Sequence, residues 1–329
     1  MADSDEKLVI IGFIITFVSM YLIFIIMKHL FIQLNGVIVL FFTFSFHCMG
    51  ADTYPLKYEL ETGKTYKQDM VSTMDMKMEV MGQEMNIDVT TEMNLNYDVI
   101  GQTDGILDIR TSYQRIKINM TVPGALSPLI IDSDSPENSF NQSIGDVVKS
   151  LVGIPIDIQL SQQGKVISVK GADKFAEKFD TIVNVQFKQM LEQMFSAKAI
   201  QTTYERIIPS FPDEPVAIGD SWNVALDLNS GGVDISSKMH LTLTQVEGDI
   251  ATLECTGTLT TPEGGATLQI QGMDAKVSSA GEQAGTVLID MKTGWVVRSE
   301  ITQNYKQHIE IMGQEMIQYI EGKTTITAD

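Results

Sequence analysis

The hydrophobic pattern is clearest over residues 70–95, where apolar and polar positions alternate on either side of Met81-Gly82-Gln83-Glu84-Met85. Alternation at period two is what a strand with one buried and one wet face produces. A two-residue turn at Gly82 and Gln83, with Gly first as a type II′ turn requires, folds the stretch into a hairpin. That register sets Val80 opposite Met85, Met78 opposite Ile87, Met76 opposite Val89 and Met70 opposite Leu95 on an apolar face. The polar face then pairs Glu79 with Asn86, Lys77 with Asp88 and Asp75 with Thr90. The tip recurs near the C-terminus, where Glu310-Ile311-Met312-Gly313-Gln314-Glu315-Met316 matches Glu79-Val80-Met81-Gly82-Gln83-Glu84-Met85.

Strand patterns also cover 56–66, 106–120, 129–131, 154–160, 165–170, 222–228, 233–246, 251–259, 266–277, 286–290, 295–311 and 316–327. One stretch has a different period. From an N-cap at Asp173, the residues Phe175, Phe179, Ile182, Val183, Met190, Leu191, Met194 and Phe195 recur at steps of three and four, which predicts one long amphipathic helix to about Lys198. One or two helical turns over 144–152 and a short helix over 203–208, stopped by Pro209, complete the helical elements. The predicted class is α+β, mainly antiparallel β, with regions 52–171 (first β), 172–215 (helix and Pro-rich connector) and 216–329 (second β).

The two β regions share landmarks. Leu60-Glu61-Thr62-Gly63-Lys64-Thr65-Tyr66 resembles Val216-Ala217-Ile218-Gly219-Asp220-Ser221-Trp222, and the segment from Ile158 to Gly164 resembles that from Val287 to Gly294. Repeats of this kind bear on the fold directly. Two arrangements fit: two curved half-barrels joined by the helix, or one continuous sheet with both tips side by side.

Residues 1–51 have the composition of a targeting region. Residues 8–26 are uncharged and apolar over a length that spans a bilayer. Residues 27–51 restart with Met27-Lys28-His29, an apolar run and then Gly50-Ala51, like a secretory signal peptide. Either Met27 is the true start or both segments anchor the chain in a membrane. Both readings export the remainder to a bacterial periplasm or cell surface. Cys48 follows Ser45-Phe46-His47, and those bulky residues suit lipidation poorly.

Charge and composition narrow the chemistry. A net charge of −19 without a basic stripe argues against nucleic acid, and 44% hydrophobic residues supply a real core. Two cysteines are too few for a disulfide framework, and Cys255 in a strand pattern is a small core residue. Met70, Met74, Met76, Met78, Met81, Met85 and Met93 form a methionine run. Thioethers suit Cu(I), and Met74, Met76 and Met78 share a face, but the same face is apolar throughout and reads first as core or groove lining. Asp132-Ser133-Asp134-Ser135-Pro136-Glu137-Asn138 starts like a calcium loop, yet its sixth position is Glu137 and its twelfth Ser143, where Gly and a carboxylate are needed. His240 and His308 sit alone on strands, and no nucleophile elbow, metalloprotease helix or phosphate-cradling loop occurs. No catalytic residue and no cofactor is expected.

The early Gly63-Lys64-Thr65-Tyr66, the helix, the stretch from Phe211 to Trp222 and the late Asp290-Met291-Lys292-Thr293-Gly294 resemble an uncharacterised family of exported bacterial proteins, domain of unknown function 6263. The resemblance implies an exported β-rich protein and brings no catalytic residues. Strands wrapped around a helix are more distantly similar to periplasmic half-barrel lipoprotein carriers. The leading expectation is a non-enzymatic envelope protein that binds an apolar, lipid-like ligand or a protein partner through a concave face lined by Met70, Met74, Met76, Met78, Val80, Met85, Ile87, Val89 and Leu95. A scaffolding protein without a small ligand and a Cu(I) binder are the alternatives.

Overall fold

The computed structural model describes residues 52–80, 83–180, 182, 188–189, 191–192, 195–230, 233–263, 265–270 and 273–328. The targeting region 1–51 and the centre of the expected long helix lie outside these residues. In order, the elements are β1 (Thr53–Tyr54), β2 (Thr65–Val80), β3 (Gln83–Thr103), β4 (Ile106–Thr121), β5 (Leu129–Asp132), α1 (Gln142–Leu151), β6 (Ile156–Ser161), β7 (Val166–Lys170), α2 (Asp173–Phe179) and α3 (Ala197–Ile207). There follow β8 (Val216–Ala217), β9 (Ser221–Ser230), β10 (Val233–Glu247), β11 (Ile250–Thr260), β12 (Ala266–Ile270), β13 (Met273–Asp290), β14 (Val296–Ile311) and β15 (Gln314–Ala328).

Antiparallel sheet dominates, and the class is α+β. Of the two arrangements, the chain adopts the continuous one: a 13-stranded sheet in the order β7-β6-β4-β3-β2-β15-β14-β13-β11-β10-β9, with β12 on β13 and β5 on β4. The small remaining sheet pairs β1 with β8. Because β15 pairs antiparallel with β2, with Gln318 opposite Met78, the ends of the β2–β3 and β14–β15 hairpins lie next to one another. The repeated tip therefore marks neighbours in space.

The shared landmarks have equivalent backbone roles. Gly63 donates its N–H to the Val99 carbonyl at 2.8 Å while Val99 donates to Lys64 at 3.0 Å. Gly219 and Leu243 repeat this at 2.7 Å, with Leu243 donating to Asp220 at 3.0 Å. Likewise Gly164 donates to Ser161 and Gly294 to Asp290, each closing the turn that returns the chain to the sheet. The duplication thus equates β2 with β9, β3 with β10, β6 with β13 and β7 with β14, while β15 is extra and joins the halves.

Two expectations shift. Val80 pairs with Gln83, Met78 with Met85, Met76 with Ile87, Met74 with Val89 and Met70 with Met93, so the hairpin register is displaced by two residues. The twin hairpin gives the reason. Its central pair is Met312 and Gly313, at φ 53° and 77°, and Ile311 pairs with Gln314. Both central residues have positive φ, as a type I′ turn requires, with glycine in the second position rather than the first. A displacement of two keeps every side chain on its expected face. It does put Glu79 opposite Glu84 and Asp75 opposite Asp88, and Lys77 turns instead to Glu321 on β15 at 4.0 Å.

The helical expectation shifts as well. Ser196 is extended at ψ 154° and its hydroxyl accepts from Ala199 N at 3.2 Å, an N-cap that starts α3 afresh. The short helix expected over 203–208 is therefore the second half of α3. The stretch expected as one strand over 266–277 is a hairpin of β12 and the start of β13.

Candidate functional site

The registers place inward side chains in rows across the concave face. One row runs Met93, Met70, Ile326, Ser299 and Val287; the next runs Thr91, Ser72, Thr324, Ile301 and Gly285. The third is Val89, Met74, Gly322, Gln303 and Gln283, and the fourth is Ile87, Met76, Ile320, Tyr305 and Gly281. Rows in mid-strand thus carry Gly, Ser and Thr where their neighbours carry large residues.

Below these rows the trough is closed by aromatic rings. Tyr66 and Tyr97 pack on Trp295 with ring centres 5.1 and 5.0 Å apart, and Tyr97 meets Tyr204 of α3 edge-on at 6.2 Å. The Tyr204 hydroxyl is hydrogen-bonded to Thr111 Oγ1 on β4 at 2.5 Å, which fixes α3 against the sheet. Tyr58 stacks on Phe211 at 5.1 Å, and Phe211 N donates to Gln163 O at 2.8 Å, tying the connector after α3 to the β6–β7 turn. α3 packs on both β7 and β9, the two edges of the large sheet.

Between α3 and the concave face lies a cavity of about 240 Å³, lined by α3 and seven strands. Met70, Met93, Met239, Ile301 and Ile326 give it apolar walls; Ser72, Thr91, Ser237 and Thr324 add hydroxyls. The small inward residues of mid-strand are what leave it open. A Cβ on Gly285 would overlap the Glu300 carbonyl oxygen, and one on Gly281 the Tyr305 side chain, so glycine there also lets β14 approach closely.

One charge enters this space. Arg206, in the last turn of α3, lines the cavity with an exposed side chain. Partial desolvation pulls its pKa below the ordinary arginine value, and Tyr305 acts in the opposite direction. Its Nη2 donates to Gln303 Oε1 at 3.2 Å. Gln303 Nε2 donates to Gln283 Oε1 at 3.2 Å, and Gln283 Nε2 to Ser237 Oγ at 2.6 Å, a polar relay across β14, β13 and β10.

Of the sequence candidates, Met70 lines the cavity and Leu95 is buried beneath it. Met74, Met76, Met78, Met85, Ile87 and Val89 are half-buried and continue the apolar strip towards the hairpin ends. The Val80 side chain lies outside the described residues. The contributions of β10, β13, β14 and β15, and Arg206 itself, escaped sequence reasoning. Glycines inside alternating strands, at 281, 285 and 322, were the available signal.

Other candidates fall elsewhere. A larger depression of about 630 Å³ lies on the opposite, outer face, where Asn223, Lys238, His240, Thr258, Glu282 and Asn304 surround an open saddle. It is a more open depression than the cavity beside α3, with no helix covering it. Among the described residues no three His, Cys, Asp or Glu side chains converge as metal ligands would. His308 faces away from Met316, which pairs with Ile309 on the inner face. Asp132 is engaged by Arg115 at 2.8 Å rather than by a loop ligand, and Asn141 caps α1 by accepting from Ile144 N. Cys255 is a buried core thiol pushed up to about 11, mainly by burial.

A family model described as "Family of unknown function (DUF6263)" matches residues 104–296, more than half of the chain. The protein belongs to this family. The first solved structure it resembles is that of lipid–protein interactions in lipovitellin, at 8% identity and TM-score 0.47, covering 82% of this chain and 25% of that one. The chain thus spans a quarter of the lipovitellin chain it matches. An outer membrane channel from Pseudomonas putida F1 follows at 6% identity and TM-score 0.21, covering 83% of this chain and 97% of that one. A DUF1329 family protein from Desulfovibrio piger is similar over 77% of this chain and 83% of its own, at 9% identity and TM-score 0.13. With TM-scores below 0.5, none of these transfers a ligand to this chain. No curated protein matches the sequence. Among the described residues, no helix is long and apolar enough to cross a membrane.

Proposed function

We propose that this is a non-enzymatic protein of the bacterial cell envelope that holds a long-chain apolar or amphipathic ligand between α3 and the concave face of the sheet. The observation that carries the reading is the interior cavity, bounded by α3 and seven strands and continued by the half-buried strip of Met74, Met76, Met78 and Met85. Its volume of about 240 Å³ is below the usual range for small-molecule pockets, on the order of 300–1,000 Å³. It suits part of a single chain, with the remainder along the strip. Methionine suits such a surface because its flexible thioether repacks around varied apolar shapes. Export rests on the apolar segments of residues 1–51, and the reading without a catalytic role on the lack of a catalytic motif in the sequence.

Solvent extraction of the full-length protein purified from its own host, followed by mass spectrometry, tests this. A co-purifying single-chain amphiphile in near-equimolar amount is expected, together with a mature N-terminus downstream of the apolar segments. Protein that yields no lipid, and whose melting temperature no amphiphile raises, would overturn the reading.

A further inference from the structure

We infer that the ligand is an anionic single-chain amphiphile of the fatty-acid class, and that Arg206 receives its carboxylate. The inference rests on the cavity being a ligand site, as proposed above, and adds the polarity of what fills it.

Arg206 stands without an acidic partner among the described residues, whereas other arginines are paired on the sheet's outer face. The chain has 42 acidic residues, and Arg110 and Arg115 on the outer face are each paired with one of them, at 2.8 Å to Asp157 and 2.8 Å to Asp132. Arg206, whose exposed side chain lines the cavity, makes no ion pair among the described residues. A guanidinium set beside apolar walls is better matched by an anionic head than by a neutral one. Its place at the C-terminal turn of α3 suits a cation. The hydrogen bond to Gln303 uses one of five N–H donors. The remaining donors have no partner from the chain among the described residues.

The guanidinium is also held in one orientation. Gln303 presents its carbonyl oxygen to Arg206 because its amide is engaged with Gln283, which is held in turn by Ser237. The relay reaches Ser237 past β11 because the β11 residue opposite Gln283 is Gly257, which has no side chain. The guanidinium is thus preorganised, and its planar fork matches a carboxylate. The surrounding walls are Met70, Met93, Ile301 and Ile326, apolar groups suited to the chain that follows such a head and not to a free inorganic anion.

The test compares a fluorescent long-chain fatty acid with its methyl ester on the full-length protein, its Arg206→Gln and Arg206→Lys variants, with melting curves as the check on folding. Wild type is expected to bind the acid about tenfold or more tightly than the ester, as a charge-assisted hydrogen bond warrants. Arg206→Gln should reduce acid binding to the ester level and leave the ester unchanged; Arg206→Lys should keep part of the preference. Should Arg206→Gln fail to fold, the wild-type ratio and the lysine variant decide. Equal binding of acid and ester by wild type, or a preference that survives Arg206→Gln, overturns the anionic head while leaving the apolar cavity standing. Wild type that binds neither probe removes the ligand site itself.

Discussion

Gly322 separates room for a ligand from room for the backbone. It occupies an inward position of β15 between Met74 and Gln303, and its φ is not among the positive ones. A Cβ there would lie 3.7 Å from Thr73 O and 3.9 Å from Gln303 Cβ, ordinary van der Waals contacts. The sheet itself therefore does not need glycine at this point. Gly322→Val should relieve the strand of a glycine, worth roughly 0.5–1 kcal/mol. Packing its methyl groups at a half-buried site adds about 1 kcal/mol. At ~2–4 °C per kcal/mol for a unit of this size, Tm in the ligand-free protein should rise by roughly 3–8 °C. The same side chain narrows the trough and should weaken binding of a fatty-acid probe by about tenfold, on the scale of one or two lost methylene contacts. Gly285→Ala is the contrast. Its Cβ would overlap the Glu300 carbonyl oxygen and lie 2.8 Å from Ile301 Cα, so Tm should fall, with a cost of roughly 1–3 kcal/mol. Calorimetry and probe titration on both variants check this. A Gly322→Val protein as destabilised as Gly285→Ala, or one that is stabilised and binds the probe unchanged, would refute the reasoning.

Two tyrosines at the base of the trough should respond oppositely to loss of their hydroxyls. Tyr204→Phe breaks the buried bond to Thr111 and should cost about 1–2 kcal/mol in denaturant unfolding, whereas Tyr97, whose buried hydroxyl has no partner among the described residues, should be neutral or gain up to ~1 kcal/mol as Phe. Cys255, with its thiol pushed up to about 11, should resist alkylation at mildly alkaline pH until the protein is unfolded, as peptide mapping would record. Asp132 is held below its ordinary pKa chiefly by the Arg115 hydrogen bond. Its stabilising contribution is therefore complete above the unfolded-state value, near about 4, and is lost as pH falls through the lower folded value. Asp132→Asn should flatten that acid limb and cost about 1 kcal/mol at neutral pH, read from urea melts across pH.

The alternation in residues 70–95 was enough to identify the buried face of β2 and β3, because period two survives any even displacement of register. It could not give the register itself. Register follows turn type, as the Met312-Gly313 turn of the twin hairpin shows, and polar and apolar labels do not record turn type. The cavity was less legible still. Its rows join β2 to β15, residues more than 200 positions apart in the chain, and the pairing Met70 with Ile326 is fixed only once the sheet has assembled. The helix was read too long because its apolar repeat continues through Phe195, whereas α2 ends at Phe179 and Ser196 starts α3 as a new N-cap. Arg206 stood in a short helix and had nothing in sequence to mark it, since its distinction is its place on the cavity wall, which only the assembled fold sets.

The central claim is that the occupied surface is the interior trough and not the outer saddle. Photo-crosslinking of the full-length protein with a diazirine-bearing fatty acid, followed by peptide mapping, tests it most directly. The account predicts adducts on β2, β3, β14 and β15 at inward positions such as Met70, Met93, Ile301 and Ile326, competed by unlabelled fatty acid and diminished in Gly322→Val. Adducts concentrated on Lys238, Thr258 and Asn304 of the outer face, or labelling that no competitor reduces, would contradict it.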